Sequence, residues 1–148
     1  MEKTYKGATL EKYKGDLKIK EHNLRDLKKG ELLIKVMTTS ILPADLALLN
    51  GLYGSNLPPL PRIFGMEGAG LIEAVGEGMD ESLIGKHCSV VANSSSPDYN
   101  GVWAQYTYAT ERNVLVFDKK GDQHWPPKGV QLHQIARQTH VPGLQLYE

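Results

Sequence analysis

The sequence is poor in residues and patterns that several protein classes require. Cys88 is the only cysteine among the 148 residues, which excludes an internal disulfide and a multi-cysteine zinc site and agrees with a reducing compartment. Neither sign of charge is in excess, because 17 Lys and Arg residues balance 17 Asp and Glu residues. Such a chain has no basic field to attract nucleic acid or an anionic membrane surface. We therefore expect neither as a partner.

Long apolar stretches are also missing. The longest runs, such as residues 69–75, fall far short of the roughly 18 to 20 residues that a membrane-spanning helix needs. The amino terminus carries Glu2 and shows neither an apolar signal core nor an Arg-rich and Ser-rich transit pattern. A composition of 41% hydrophobic and 23% charged residues is typical of one soluble globular domain. We therefore expect a cytoplasmic protein.

Short strand-like segments separated by Gly, Pro, Asn and Asp are what the sequence does contain, and they predict a mainly β barrel or sandwich. Leu17 and Ile19 alternate with lysines, which predicts a half-buried strand. Residues 31–38 predict a second strand, with Leu32, Ile34 and Val36 on its apolar side and Lys35 on the wetter side. Further strands are predicted over residues 66–75, 87–92, 104–109 and 114–117.

One short helix interrupts the strands. Pro43 suits the first helical position because an N–H there would have no partner, and Asp45 faces the positive end of the helix dipole. The Asn-Gly pair that follows is a favourable left-handed cap, so the helix is predicted over residues 43–50. The prolines within residues 58–61 then predict an extended surface connection.

Residues 118–148 differ in character from the rest of the chain. They are rich in Gly, Pro, Gln and His, and only four residues stand at helical spacing, namely Leu132, Ile135, Ala136 and Thr139. At most one short helix and weak packing are expected there. We therefore divide the chain into a domain at residues 1–117 and a weakly structured tail at residues 118–148.

Two glycine clusters, residues 65–70 and 76–78, invite comparison with the dinucleotide-binding fingerprint. Neither has the third glycine of that pattern, and no long helix follows either cluster. We interpret these glycines as tight corners and close strand packing. A strand, a glycine-rich turn and a helix amino terminus, which together hold a pyrophosphate, do not follow Phe117. The sequence therefore predicts that a Rossmann domain is absent.

A series of short motifs stands in a specific order over about residues 3 to 117. The series consists of Pro43-Ala-Asp-Leu, Gly51-Leu-Tyr-Gly, Gly65-Met-Glu-Gly-Ala-Gly, Gly85-Lys-His-Cys-Ser-Val-Val and Gly101-Val-Trp-Ala-Gln-Tyr. In this order it resembles the amino-terminal domain of medium-chain dehydrogenase/reductases. The resemblance implies a GroES-like, alcohol dehydrogenase-like β-barrel with one or two short helices, which in the family precedes the cofactor domain.

Departures from the zinc-dependent members of that family indicate a branch. Those members have a cysteine near the start of the short helix and a histidine before the glutamate of the glycine motif, whereas this chain has no cysteine in residues 40–45 and has Met66 before Glu67. A thioether and aliphatic groups do not replace thiolate and imidazole as zinc ligands. We expect no catalytic metal, and the resemblance implies the zinc-free quinone oxidoreductase or enoyl reductase branch. Glu67 is interpreted as a structural carboxylate bonded to nearby backbone, and Cys88 as a buried small hydrophobe.

Four residues are candidates for the site. A tyrosine in the corresponding Gly-x-Tyr-Gly loop is the proposed acid of the enoyl-thioester reductase branch, so the resemblance implies a catalytic role for Tyr53; a loop tyrosine that packs on its neighbours is the alternative. Asp45 resembles an acid near the nicotinamide, which implies cofactor binding, with a structural first-turn acid as the alternative. Leu42 and Trp103 are placed at the substrate cleft, and a core position is the alternative for Trp103.

The resemblance implies the substrate-side domain of a zinc-independent NAD(P)H-dependent oxidoreductase of the quinone or 2-enoyl-thioester reductase type. NADPH is expected in the intact enzyme only, a small-molecule substrate would bind once a cofactor domain completes the cleft, and the chain alone is expected to be inactive. A mitochondrial location is the alternative that the enoyl reductase branch implies. The alternative function is a non-catalytic β-barrel binding module that associates with a full-length relative or forms a homo-oligomer. A ring-forming co-chaperonin is a third hypothesis.

Overall fold

The computed structural model describes residues 3–52, 54–91 and 100–117, and strands make up most of this part of the chain. The elements in order are β1 (Thr4–Leu10), β2 (Leu17–Asn23), β3 (Glu31–Thr39), α1 (Pro43–Leu49), β4 (Arg62–Ile63), β5 (Glu67–Val75), β6 (His87–Val91), β7 (Tyr106–Thr110) and β8 (Val114–Phe117). In the described part of the chain, the 3₁₀ turns Glu81–Leu83 and Glu111–Asn113 connect strands. The prediction of a mainly β fold with a short helix is therefore confirmed.

The strands form two antiparallel sheets that are joined through the segment before β7. One sheet has the order β2-β1-β4 and the other has the order β7-β3-β5-β6-β8. The N–H of Ala8 donates to the carbonyl oxygen of Trp103 at 2.8 Å, and the N–H of Gln105 donates to that of Lys6 at 2.9 Å. These bonds connect β1 to the larger sheet. The architecture agrees with the GroES-like barrel that the motif series implied.

The core confirms one predicted strand pattern and corrects another. Leu17 in β2 is buried and the next residue, Lys18, is exposed, as the alternation predicted. In β3, Leu32 and Ile34 are buried as expected, but Leu33 on the opposite side is only 3% exposed. The alternation was wrong at this position because the chain before β3 lies over that side of the sheet. Residues 24–27 and Leu33 line the same cavity.

Helix α1 begins at the predicted proline and ends one residue earlier than predicted. Gly51 has φ +69°, and its N–H donates to the carbonyl oxygen of Leu48. The N–H of Leu52 donates to that of Ala47, which completes a Schellman motif. This pairing needs a left-handed residue directly after the cap, which glycine adopts without steric strain. The Asn-Gly signal therefore ended the helix for the predicted reason.

The remaining strand predictions agree with the structure to within two residues. The strand predicted over residues 104–109 is β7, which begins at Tyr106, and the segment predicted as a surface connection leads into β4. Pro59 and Pro61 of that connection are exposed as expected, whereas Pro58 is buried. Ala92 and the predicted tail, residues 118–148, lie outside the described residues. Within the described ranges, no helix has the length and apolar character needed to cross a membrane.

An ion pair between a buried carboxylate and an exposed arginine lies where the sequence indicated only a polar turn. The side chain of Glu31 is 2% exposed and accepts hydrogen bonds from both terminal nitrogens of Arg25, at 2.7 and 2.9 Å. The backbone N–H of Lys28 donates to the same carboxylate at 2.8 Å. The hydrogen bonds from Arg25 lower the pKa of Glu31. The guanidinium also lies 4.1 Å from the centre of the Tyr108 ring, so this turn is anchored to β7.

Candidate functional site

The candidate site is built where the end of β3, the start of α1 and the start of β5 meet. The hydroxyl of Thr39 donates to the carbonyl oxygen of Glu67 at 2.6 Å, and the N–H of Ser40 donates to the same oxygen at 3.2 Å. The indole N–H of Trp103 donates to the carbonyl oxygen of Ser40 at 3.0 Å. The fold therefore brings three of the four predicted site residues to one place, with Asp45 joining α1 to β5.

Asp45 is the centre of this arrangement. Its side chain is fully buried, and its two carboxylate oxygens accept backbone N–H groups of Leu42 at 2.8 Å and Met66 at 3.0 Å. Burial raises the pKa of Asp45, the two backbone hydrogen bonds act in the opposite direction, and the negative charge of Glu67 adds to the rise. The placement favours the structural interpretation of Asp45. The predicted contact with a cofactor stays a prediction.

Leu42 stands directly before α1 and is half-buried. Its side chain has no group that could cap the helix, so the carboxylate of Asp45 binds the Leu42 N–H from inside the first turn. This position leaves part of an apolar side chain at the surface beside the start of the helix. The predicted cleft contact of Leu42 is compatible with that surface and remains a prediction.

Trp103 is the largest fully buried side chain of the described residues. Besides its indole hydrogen bond to Ser40, it packs against the backbone at Gly65, which has φ +104°. A Cβ atom at Gly65 would overlap the Trp103 ring, so only glycine allows this approach. The placement favours the core interpretation of Trp103 over the predicted cleft contact, because no part of the side chain reaches the surface.

Tyr53, the predicted acid, lies outside the described residues. The loop around it begins at Leu52, which is 74% exposed, and continues at Gly54, which has φ +80°. This loop follows the Schellman end of α1 and therefore starts next to the element that carries Asp45. The catalytic role of Tyr53 stays a prediction.

In residues 3–52, 54–91 and 100–117, no three His, Cys, Asp or Glu residues form a group that could hold a metal ion. Met66 is half-buried directly before β5, and Ser40 uses its backbone oxygen to accept from Trp103. Neither side chain is a ligand that zinc prefers in structural or catalytic sites.

The structure also tests the interpretations of Cys88 and Glu67. Cys88 is fully buried in β6, and burial raises the pKa of its thiol to about 12, which confirms that it is a small core residue. Glu67 is different from expectation: its side chain is exposed, and among the described residues its backbone oxygen, rather than its carboxylate, accepts the bonds of Thr39 and Ser40. The correction follows from the direction of the side chain, which points outward from the first residue of β5.

Sequence reasoning also missed the link between Asp45 and Met66. These residues are 21 positions apart, and the acceptor atom contacts a backbone N–H, which every residue other than proline possesses. No local residue pattern could have identified the partner. The sequence signal was an acid in the first turn of α1, and it indicated the interaction of Asp45 with the helix but not its hydrogen bond with Met66.

Comparisons with known proteins agree with the barrel fold. The family model described as "Alcohol dehydrogenase GroES-like domain" matches residues 28–119. The human synaptic vesicle membrane protein VAT-1 homolog is 38% identical over 76 residues, which are 51% of this chain and 18% of that protein. The mitochondrial enoyl-[acyl-carrier-protein] reductase of Dictyostelium discoideum is 36% identical over 64 residues, which are 43% of this chain and 18% of that protein.

A solved structure shows the same fold. The putative NADPH:quinone reductase from Bacillus thuringiensis superposes with a TM-score of 0.67 at 28% identity, and the alignment covers 77% of this chain and 33% of that one. The matched regions thus span about a fifth of the two curated relatives and a third of the solved chain.

Proposed function

Because this chain belongs to the alcohol dehydrogenase GroES-like domain family, we propose that it is the substrate-side domain of a zinc-independent oxidoreductase that uses NADPH. Two relatives support the class of substrate: one is a putative NADPH:quinone reductase and the other an enoyl-[acyl-carrier-protein] reductase. Quinones and 2-enoyl thioesters are both conjugated acceptors of hydride. A single apolar cleft with one proton donor would suit either of them.

The observation that carries the proposal is the set of side chains where β3, α1 and β5 meet. Ser40, Leu42 and Met66 stand there, and none of them supplies the thiolate or imidazole that a zinc-dependent member would use. Without a Lewis acid, charge that develops on the substrate oxygen or α-carbon needs another partner. We assign that role to a hydrogen-bond donor in the loop after α1.

The donor we propose is Tyr53. The nicotinamide, when bound, supplies a hydride, and reduction of the double bond is complete once a proton is delivered to the neighbouring carbon. A phenol can donate one proton or hydrogen bond in a cleft that excludes water. Asp45 holds the start of α1 against β5 through two backbone hydrogen bonds, so it would position the loop without touching the substrate.

The cofactor itself would be held elsewhere. In the described barrel, Gly65 makes close contact with Trp103, and Gly70 faces the carbonyl group of Lys35, so these glycines serve packing rather than a phosphate. A pyrophosphate cradle needs backbone N–H groups at a helix amino terminus. We propose that a nucleotide-binding domain outside this chain supplies it, and that the chain alone does not turn over.

Two measurements test this proposal. In calorimetry, the purified chain should not bind NADPH at low micromolar affinity. In a chimera, this chain replaces the corresponding domain of the Bacillus thuringiensis protein, and NADPH consumption is measured with a benzoquinone and with a crotonyl thioester. Tyr53→Phe should lower kcat for the thioester by about 100-fold or more. Tyr13→Phe is the matched control, since the Tyr13 hydroxyl donates to the carbonyl oxygen of Pro58.

The outcomes separate the alternatives. Tight NADPH binding by the isolated chain, or its unaided reduction of either substrate, would contradict the division of labour between two domains. One equivalent of tightly bound zinc, or activity lost to a chelator, would contradict zinc independence. A folded chimera that is inactive with both substrates would leave the non-catalytic binding module as the better function, to be pursued by co-purification with a full-length relative.

A further inference from the structure

Strand β2 forms one edge of the smaller sheet. In the order β2-β1-β4, β1 pairs with one side of β2, and no strand of the described ranges pairs with the other side. β2 has seven residues, which is an ordinary length for a strand. An edge of this kind presents a row of backbone N–H and carbonyl groups to which another strand can bind.

The register of β1 and β2 identifies the β2 residues that face the open side. The N–H of Ala8 and the carbonyl oxygen of Lys6 take part in the hydrogen bonds that connect β1 to the larger sheet, so both point away from β2. The residues opposite them in β2 are Ile19 and Glu21. In an antiparallel pair, residues that face each other without exchanging hydrogen bonds both direct their backbone groups outward. The backbone groups of Ile19 and Glu21 therefore point to the open side, where no described residue binds them.

The side chains that alternate with these residues are basic. Lys18, Lys20 and His22 share one face of β2, and they are called the β2 row below. The side chains of Lys18 and Lys20 are 59% and 40% exposed, and both pair with the single carboxylate of Glu11. Burial lowers the pKa of His22, so the charge of the row at pH 7 comes from the two lysines. Exposed ion pairs contribute little free energy, so the lysines can exchange Glu11 for another carboxylate.

The β2 row determines which strand suits this edge. A strand that adds antiparallel to β2 exchanges hydrogen bonds with Ile19 and Glu21, and its side chains opposite the row are the closest across the new pair. If two copies of β2 paired in this way, residues of the row would lie opposite residues of the row, and like charges would repel. A strand with acidic residues at alternate positions instead places each of them opposite a basic side chain.

We propose that the β2 edge binds an extended acidic segment of a partner protein by strand addition. The segment continues the smaller sheet, with its acidic side chains opposite the β2 row and β-branched side chains beside Ile19. Backbone hydrogen bonds supply affinity, and the row selects the partner by charge. β2 lies outside the place where β3, α1 and β5 meet, so this inference does not depend on the proposed reductase function.

Fluorescence anisotropy of a labelled heptapeptide, Val-Glu-Val-Glu-Val-Glu-Val with blocked ends, tests this inference on the full 148-residue chain. The peptide should bind saturably. Methyl groups on the nitrogens of its second and third valines should weaken binding about tenfold or more, because they remove two hydrogen bonds to β2. Methyl groups on the nitrogens of its first two glutamates are the matched control and should leave the affinity unchanged, since those nitrogens face away from β2.

Charge changes on the protein give a second readout. The double variant Lys18→Glu with Lys20→Glu should bind the peptide about tenfold or more weakly, and Glu11→Gln should bind it about threefold more tightly, because the competing carboxylate is gone. The double variant Lys28→Glu with Lys29→Glu is the matched control, since these two lysines are exposed in the turn before β3. Its affinity for the peptide should equal that of the wild type.

Three results would overturn the inference. The first is that the wild-type chain does not bind the heptapeptide. Equal affinities of the two methylated peptides would show attraction between charges without strand addition. A wild-type sedimentation mass of two chains, reduced to one chain by the variant with Lys18→Glu and Lys20→Glu, would show that a second copy occupies the edge. The methylated peptides leave the protein unchanged, so their result remains decisive even if a protein variant fails to fold.

Discussion

Replacing Asp45 by alanine and by asparagine separates two opposing contributions to stability. The carboxylate is fully buried and accepts two backbone hydrogen bonds, from Leu42 and Met66. A hydrogen bond to a charged group contributes about 1.5 to 3 kcal/mol, so two would contribute about 3 to 6 kcal/mol. Burial of the charge acts against them, and it dominates, because the pKa of Asp45 is raised.

The two variants should therefore differ in the free energy of unfolding. Asp45→Ala removes both acceptors and leaves two N–H groups in half-buried positions, and we expect it to cost about 2 kcal/mol. That loss corresponds to a melting temperature lower by roughly 8 °C for a domain of this size. Asp45→Asn retains one acceptor oxygen and removes the buried charge, so it should remain within about 1 kcal/mol of the wild type at pH 7.

The dependence on pH gives a second check on Asp45. Its pKa in the folded state lies above the unfolded value, which is about 3.9. Between these two values the folded state binds more protons, so the wild type loses stability as the pH rises through that interval. Asparagine does not titrate, and the wild type should therefore be less stable relative to Asp45→Asn at pH 7 than at pH 4.

Urea unfolding of the three proteins at pH 4 and pH 7 measures both effects. If Asp45→Asn costs as much as Asp45→Ala at pH 7, the charge itself stabilises the fold and the reasoning is refuted. The same follows if the wild type gains stability relative to Asp45→Asn as the pH rises, since the hydrogen bonds would then outweigh burial.

Three further predictions concern the barrel. Glu31→Gln should lower the free energy of unfolding by about 1 to 2 kcal/mol, which is less than for a fully buried pair because Arg25 is partly exposed. Since the pKa of Glu31 is lowered, the stability advantage of the wild type over Glu31→Gln should disappear as the pH falls below about 4. Equal urea midpoints of the two proteins at pH 6 would contradict this prediction. Gly65→Ala should cost about 3 kcal/mol or more in thermal melting, from positive φ and overlap with Trp103, and a wild-type melting temperature would be incompatible with that packing. Native Cys88 should react with iodoacetamide at pH 8 on the order of a thousandfold more slowly than in urea, and rapid native labelling would show that β6 opens.

The fold followed from the sequence wherever one local signal was enough. Pro43 and the Asn-Gly pair at residues 50–51 placed α1 to within one residue, because both act through their own backbone conformations. The alternation at Leu17 placed β2 in the same way. Leu33 was misjudged, because its burial depends on a turn that folds over the sheet from residues 24–27.

The site was predicted less completely than the fold. The motif series assigned Asp45 to the cofactor and Leu42 and Trp103 to the substrate cleft; in the structure Asp45 accepts the N–H of Leu42, and Trp103 donates to Ser40. It did not indicate that Trp103 would be fully buried, since the same local sequence is compatible with an aromatic side chain in the core and with one that lines a cleft. The ion pair of Glu31 with Arg25 gave no signal beyond ordinary surface charges.

The sequence by itself determined which residues could form strands, where α1 begins and ends, and that residues 40–45 contain no cysteine and Met66 precedes Glu67. Those properties belong to single residues and their immediate neighbours. Only the tertiary structure decided that Asp45 binds the Met66 N–H and that Trp103 donates to Ser40. Such contacts join residues far apart in the chain through backbone atoms, which no residue type distinguishes, so they are fixed only when the two sheets close around a common core.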